Sequence, residues 1–254
     1  MKTRLHPGLA ALFEVGIMFL PAIPAYLWMW PNVKGAGLWV AQIITYVYVL
    51  AGTLWIGLRR WNLGKLGINK DGLLLSLACG LAILSSRLLI ILAIDWGFST
   101  PNINLPCLTG QVLYYFGLVG LVEELLFRGL VYRALGEWRG ERWAIWGSSI
   151  GFVLWHIFGQ GPLVGATALF IGLLFALIRW RGGGILGLIV LHALWDLQSV
   201  LLVSGSNKEI FSVGRPDIIH SVWIILGYAM ILIVAVYLWK VHPMIKGVLD
   251  RSGG

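Results

Sequence analysis

Apolar positions gather in eight long runs, roughly 9–30, 37–58, 72–95, 109–135, 142–159, 163–180, 184–203 and 219–240. Each approaches the about 20 residues a helix needs to cross hydrocarbon. In lipid, a single spanning segment satisfies its backbone only by its own helical hydrogen bonds. Turn-forming residues separate the runs, among them Pro31-Asn32, Asn69 to Gly72, Pro101 to Asn104, Gly159 to Pro162, Gly182 to Gly184 and Gly214 to Pro216. The pattern predicts an all-α, polytopic membrane helix bundle of about eight transmembrane helices. No internal repeat or low-complexity linker divides it, so residues 1–254 are expected to form a single membrane domain.

Composition strengthens this reading. The chain is 59% hydrophobic and 12% charged, against about 25% charged in a soluble domain. Its net charge of +8 does not describe a nucleic-acid footprint, which is a dense basic patch on a soluble face. Here the cations fall between apolar runs, and they fall unevenly. Counting alternate loops, the N-terminal side carries fourteen lysines and arginines, including Arg59, Arg60, Lys65, Arg139, Arg179 and Arg181. The other side carries Lys34, Lys208 and Arg215. The positive-inside rule then puts both termini in the cytoplasm.

Tryptophans 28, 30, 39, 55, 61, 96, 143, 180 and 239 fall at predicted span ends, as an aromatic belt requires. Trp155 and Trp195 fall elsewhere. The opening Met1-Lys-Thr-Arg plus an apolar run resembles a signal peptide, but Glu14 and Pro21 interrupt that run. Cys79 and Cys107 are expected at opposite faces of the membrane, too far apart to bridge.

The ionisable residues left inside the runs are Arg87, Glu123, Glu124, Arg128, His156, His192 and Asp196. A carboxylate near a bilayer centre costs roughly 2.5–3.5 kcal/mol on insertion scales, so such groups are paired or face a polar cavity. At about 1.5 Å of rise per residue, Glu123, His156, His192 and Asp196 share one layer about 8 Å thick, although they come from three helices. Glu124 and Arg128 are four apart and lie on one helical face, where they can pair. Glu123 is rotated about 100° from Glu124 and can point into a cavity. His192 and Asp196 are also four apart.

This set suits activation of water. Glu123 would take the proton and His156 would share the water or deliver the proton to a leaving amine. His192 with Asp196 would stabilise an oxyanion. The nucleophile routes are poorer: Cys79 has no histidine at its depth, and Ser85, Ser86, Ser148 and Ser149 lack a G-x-S-x-G setting. Plain structural readings stand beside these. A membrane histidine is often a packing residue, a Glu–Arg pair is often a helix clamp, Glu14 can snorkel to the interface, and Arg87 needs a salt-bridge partner. Two histidines and several carboxylates could also hold zinc, but no H-E-x-x-H and no same-helix histidine pair occurs. No metal or cofactor is therefore expected.

Glu123-Glu124-x-x-x-Arg128, then Phe152-x-x-x-His156, then His192-x-x-x-Asp196, is similar to the motif set of the CAAX protease and bacteriocin-processing family, which are intramembrane glutamic endopeptidases. The resemblance covers residues 109–203. It implies Glu123 as the water-activating base with His156 assisting, His192 and Asp196 at the oxyanion side, and Glu124 and Arg128 ordering the first motif. The prenyl-protein endopeptidases of that family carry Asn where this chain has Asp196. Asn donates a hydrogen bond unconditionally, whereas Asp must be protonated or act by holding His192.

The expected activity is a hydrolase acting on a peptide bond of a peptide or protein tail at the membrane. The expected place is a multi-pass position in a bacterial plasma membrane, with the lipid bilayer and substrate as partners and no nucleic acid. Two other classes compete. One is a non-catalytic scaffold or immunity-type protein that binds a partner. The other is a proton-coupled transporter, which the lack of paired broken helices in matching halves does not support.

Overall fold

The computed structural model describes residues 5–94 and 105–202, with 231–233, 236 and 240 beyond them. Seven of the eight apolar runs are helical: α1 (Pro7–Asn32), α2 (Ala36–Leu58), α3 (Leu73–Ile94), a long rod from Leu105 to Arg139, α7 (Glu141–Gln160), α8 (Pro162–Gly182) and α9 (Leu186–Leu202). Among the described residues there is no strand. The eighth run lies almost wholly outside the described residues, as do the side chains of Arg87 and Cys107.

Four helical segments are long and apolar enough to cross a membrane: Pro7–Ala25, Gly37–Leu58, Leu108–Arg139 and Val164–Gly182. Leu73–Ser86 and Leu186–Gln198 are apolar but shorter. The helix α7 is absent from both groups because Ser148, Ser149, His156 and Gln160 dilute its hydropathy. The two serines face protein, whereas Gln160 is exposed at the helix end. Ser148 and Ser149 are fully buried, and both hydroxyls donate to the Ile145 carbonyl, at 3.3 and 2.7 Å.

The helices α7 and α8 form an antiparallel hairpin around Gly161, whose φ of +94° few side-chain-bearing residues tolerate. Pro162 then opens α8 at a position where its missing N–H costs nothing. Small residues line the seam: a Cβ on Gly172 would touch the Ser149 Cα at 3.4 Å. In lipid, close approach of this kind replaces the hydrophobic drive between helices. At its far end α8 carries Arg179 and Arg181 in the last turn, complementing the helix dipole, and closes on Gly183 in the left-handed conformation.

The segment joining α2 to α3 folds back onto the α8–α9 turn. Ile185 N–H donates to the Gly67 carbonyl at 2.8 Å. Gly72, at φ +64°, packs so tightly that a Cβ there would lie 2.2 Å from the Gly182 Cα. Arg179 secures the junction by donating through Nε to the Arg128 carbonyl (3.1 Å) and through its other nitrogens to the carbonyls of Gly183 and Lys65. On the same end the start of α1 rests on the last turn of the rod, since a Cβ on Gly8 would collide with the Ala134 carbonyl oxygen. Arg59, Arg60, Lys65, Arg139, Arg179 and Arg181 therefore gather at one end of the bundle.

Two polar residues behave differently from the sequence expectation. Trp61, expected in the lipid-facing belt, is buried and donates Nε1–H to Glu137 at 3.0 Å. Glu14 does not simply snorkel: Arg60 grips it with two hydrogen bonds of 2.9 and 2.6 Å.

Candidate active site

The rod from Leu105 to Arg139 is not a uniform α-helix. It runs as α4 (Leu105–Tyr114), a π segment π1 (Tyr115–Val119), α5 (Gly120–Glu124), a second π segment π2 (Leu125–Val131) and α6 (Tyr132–Arg139). Each π turn rotates the residues that follow it relative to an α-helical continuation, and such turns recur at functional sites. Here they flank Glu123 and Glu124. Just before them, Gly120 lets α5 sit directly on the α9 backbone, for a Cβ there would lie 2.8 Å from the Ile189 carbonyl oxygen.

The two glutamates, both buried, are used differently. Glu124 Oε1 accepts from Arg128 at 2.9 Å and from Nδ1 of His192 at 2.7 Å. The Arg128 side chain is itself fully enclosed. Its guanidinium reaches the Gly172 carbonyl of α8 at 3.2 Å and lies over the rings of Phe152 (4.2 Å) and Phe175 (5.3 Å). One planar cation, paired within the rod to Glu124, thus ties the rod to α7 and α8 by hydrogen bond and ring face.

Glu123 turns the other way. Its Oε1 accepts from the Tyr46 hydroxyl of α2 at 2.7 Å and from the Trp155 indole of α7 at 3.0 Å. Its Oε2 makes no hydrogen bond among the described residues. That oxygen lies 3.7 Å from His192 Nε2 and 3.9 Å from His156 Nε2. These separations are too long for direct bonds and suit a shared water. His156 Nδ1 lies 2.9 Å from the Phe152 carbonyl. A carbonyl can only accept, so Nδ1 carries the hydrogen and Nε2 is the nitrogen aimed at Glu123. Asp196 Oδ2 approaches His192 Nε2 at 3.6 Å.

Glu123, Glu124, Arg128, His156, His192 and Asp196, six of the seven ionisable residues found inside the runs, therefore meet in one place. Glu124 and Arg128 pair as their spacing suggests. The partnership of His192 is different: its hydrogen bond goes to Glu124, and Asp196 stands beyond bonding distance on the other ring nitrogen. Phe152 has a physical role inside its motif, since its carbonyl orients His156 while its ring packs 4.3 Å from the His156 ring and 5.7 Å from that of His192.

Sequence reasoning missed Tyr46. A lone tyrosine in an apolar run carries no signal that its hydroxyl meets a carboxylate from a helix 77 residues away. Trp155 did carry a signal, being a tryptophan away from the belt and next to His156.

Fold and site together define a helical membrane protein with a buried carboxylate–imidazole site. Residues 106–198 match the family model described as Type II CAAX prenyl endopeptidase Rce1-like. The match contains all three motifs and supports the CAAX protease and bacteriocin-processing family to which they point. It does so with Asp196 at the position where prenyl-protein endopeptidases carry Asn. Comparison with curated proteins and with solved structures finds no significant match.

Proposed function

We propose that the chain is a metal-independent intramembrane glutamic endopeptidase that cleaves a peptide or protein tail at the membrane. One observation carries the reading: Glu123 Oε2 is buried, lacks a hydrogen bond among the described residues and faces the Nε2 atoms of two histidines. A water held between Glu123 Oε2 and His156 Nε2 would lose its proton to Glu123 as its oxygen attacks the scissile carbonyl. His192, protonated on both nitrogens, would give one N–H to Glu124 and the other to the developing oxyanion, with Asp196 beside it. Collapse of the tetrahedral intermediate breaks the C–N bond. The proton taken from water then passes through Glu123 or His156 to the leaving amine.

The same reading sets the chain in the membrane with eight spans, both termini cytoplasmic, in a bacterial plasma membrane. The gathering of cationic loops at one end of the bundle supports that orientation. Cysteine labelling of residues 5 and 65 from each side of sealed vesicles tests it, with both expected on the cytoplasmic face.

The activity is tested by comparing membrane peptidomes of cells carrying wild type and Glu123→Gln, with and without a chelator. Products specific to the wild type are expected to fall by on the order of 100- to 10,000-fold in the variant and to survive the chelator. Undiminished cleavage by Glu123→Gln would sink the assignment. Identical peptidomes, with both proteins still complementing a host phenotype, would favour a partner-binding scaffold instead.

A further inference from the structure

We propose that Tyr46, with Trp155, is a positioning residue that divides the Glu123 carboxylate into a pinned oxygen and a presented one. The inference rests on the endopeptidase reading for its consequence but not for its geometry. Tyr46 belongs to α2, outside the segment that matches the family model.

A glutamate carboxylate is two-fold about its last torsion, and that torsion is soft. Left alone, either oxygen could face the histidines, and the base would spend part of its time misdirected. Here both donors go to Oε1, the phenol at 2.7 Å and the indole at 3.0 Å. They arrive from different helices, and both are hydrogen-bond donors that a carboxylate accepts strongly. Rotation of the carboxylate would break two such bonds at once. Oε2 is thereby kept toward His156 and His192.

The donors are themselves held. The Tyr46 ring meets the rings of Trp155 and Tyr114 edge-on, each with centroids 6.0 Å apart. The Trp155 ring is backed by Phe19 of α1 at 5.8 Å. One turn before Tyr46, Gln42 accepts from the Tyr114 hydroxyl at 3.2 Å, which fixes the register of α2 against α4. The site is thus completed by a helix that carries none of the recognised motifs.

Tyr46→Phe removes the hydroxyl and keeps the ring. With purified wild type as reference, kcat is expected to fall on the order of 10- to 100-fold with KM unchanged, since the substrate is not touched. Trp155→Phe should give the same split, and it serves if the first variant misfolds. A second readout needs no turnover. In protein carrying isotope-labelled glutamate in lipid vesicles, the infrared difference between wild type and Glu123→Gln isolates the Glu123 carboxylate, and Tyr46→Phe should shift that band. An unshifted band, or unchanged kcat in both variants, overturns the inference. A shifted band in a wild type that cleaves nothing upholds the pin and removes the endopeptidase reading instead.

Discussion

The first two helices and the later ones are equally helical but live in different solvents. Only 24% and 22% of the apolar windows in α1 and α2 are buried by protein, against 56% in the rod and 61% in α8. The ionisable groups follow that division. Glu14 of α1 pairs with Arg60, just past the end of α2, while Glu123, Glu124 and Arg128 of the rod meet His156 of α7 and His192 and Asp196 of α9 inside the bundle. A buried carboxylate is tolerable when protein supplies its partners, and lipid supplies none. The site accordingly forms where helices cover one another, and among the described residues the outer layer contributes an uncharged donor to Glu123, Tyr46.

The sharpest test of this contrast lies between neighbours. Glu124→Gln leaves the Arg128 guanidinium buried without its counter-charge, and removing one partner of such a pair costs about 3–5 kcal/mol. Glu123→Gln is expected to fold almost normally, because the amide oxygen still accepts from Tyr46 and Trp155. Unfolding midpoints in detergent should therefore drop sharply for the first variant and barely for the second. Equal drops would show that the two carboxylates are both structural.

A smaller effect is expected at the helix contact that brings the motifs together. In Gly120→Ala the new methyl would lie 2.8 Å from the Ile189 carbonyl oxygen and 3.1 Å from that of Tyr115. Backbone cannot yield as a side chain does, so α5 must move off α9. Overpacking of this kind costs about 1–3 kcal/mol. The same shift lengthens the Glu124–His192 bond, so cleavage should fall on the order of 10- to 100-fold. Wild-type activity with lowered stability would show that the α5–α9 spacing does not set the site.

The seven apolar runs that are helical up to residue 202 were legible because apolar length is a strong signal in a membrane protein. The pairing of Glu124 with Arg128 was legible because four residues close one helical turn. The π segments were not, since a π turn needs no distinctive residue and leaves the hydropathy of the rod unchanged. Nor was the bond from His192 to Glu124, which depends on how α9 rotates against α5. Sequence spacing favoured Asp196 as the partner because i,i+4 is the only geometry it can see. Glu14 was read as a residue that reaches the interface alone, for the same reason: Arg60 lies 46 residues away.

That last pair supplies the weakest expected effect and the counterpart of the buried one. Arg60 and Glu14 meet through two hydrogen bonds, yet their side chains are 15% and 26% exposed, and Arg59 adds a second cation at 3.9 Å. Partly solvated pairs are typically worth about 0.2–1 kcal/mol. Glu14→Gln should therefore lower the unfolding midpoint only slightly, and added salt should shrink the difference because a Debye length of about 3 Å at 1 M screens exposed charges. The Glu124→Gln difference should resist salt, being enclosed on every side. A double-mutant cycle of Glu14→Gln with Arg60→Gln reads the coupling directly. A coupling as large as that of the buried pair would mean that α1 and α2 depend on charge as much as the inner helices do, and the division by solvent would fail.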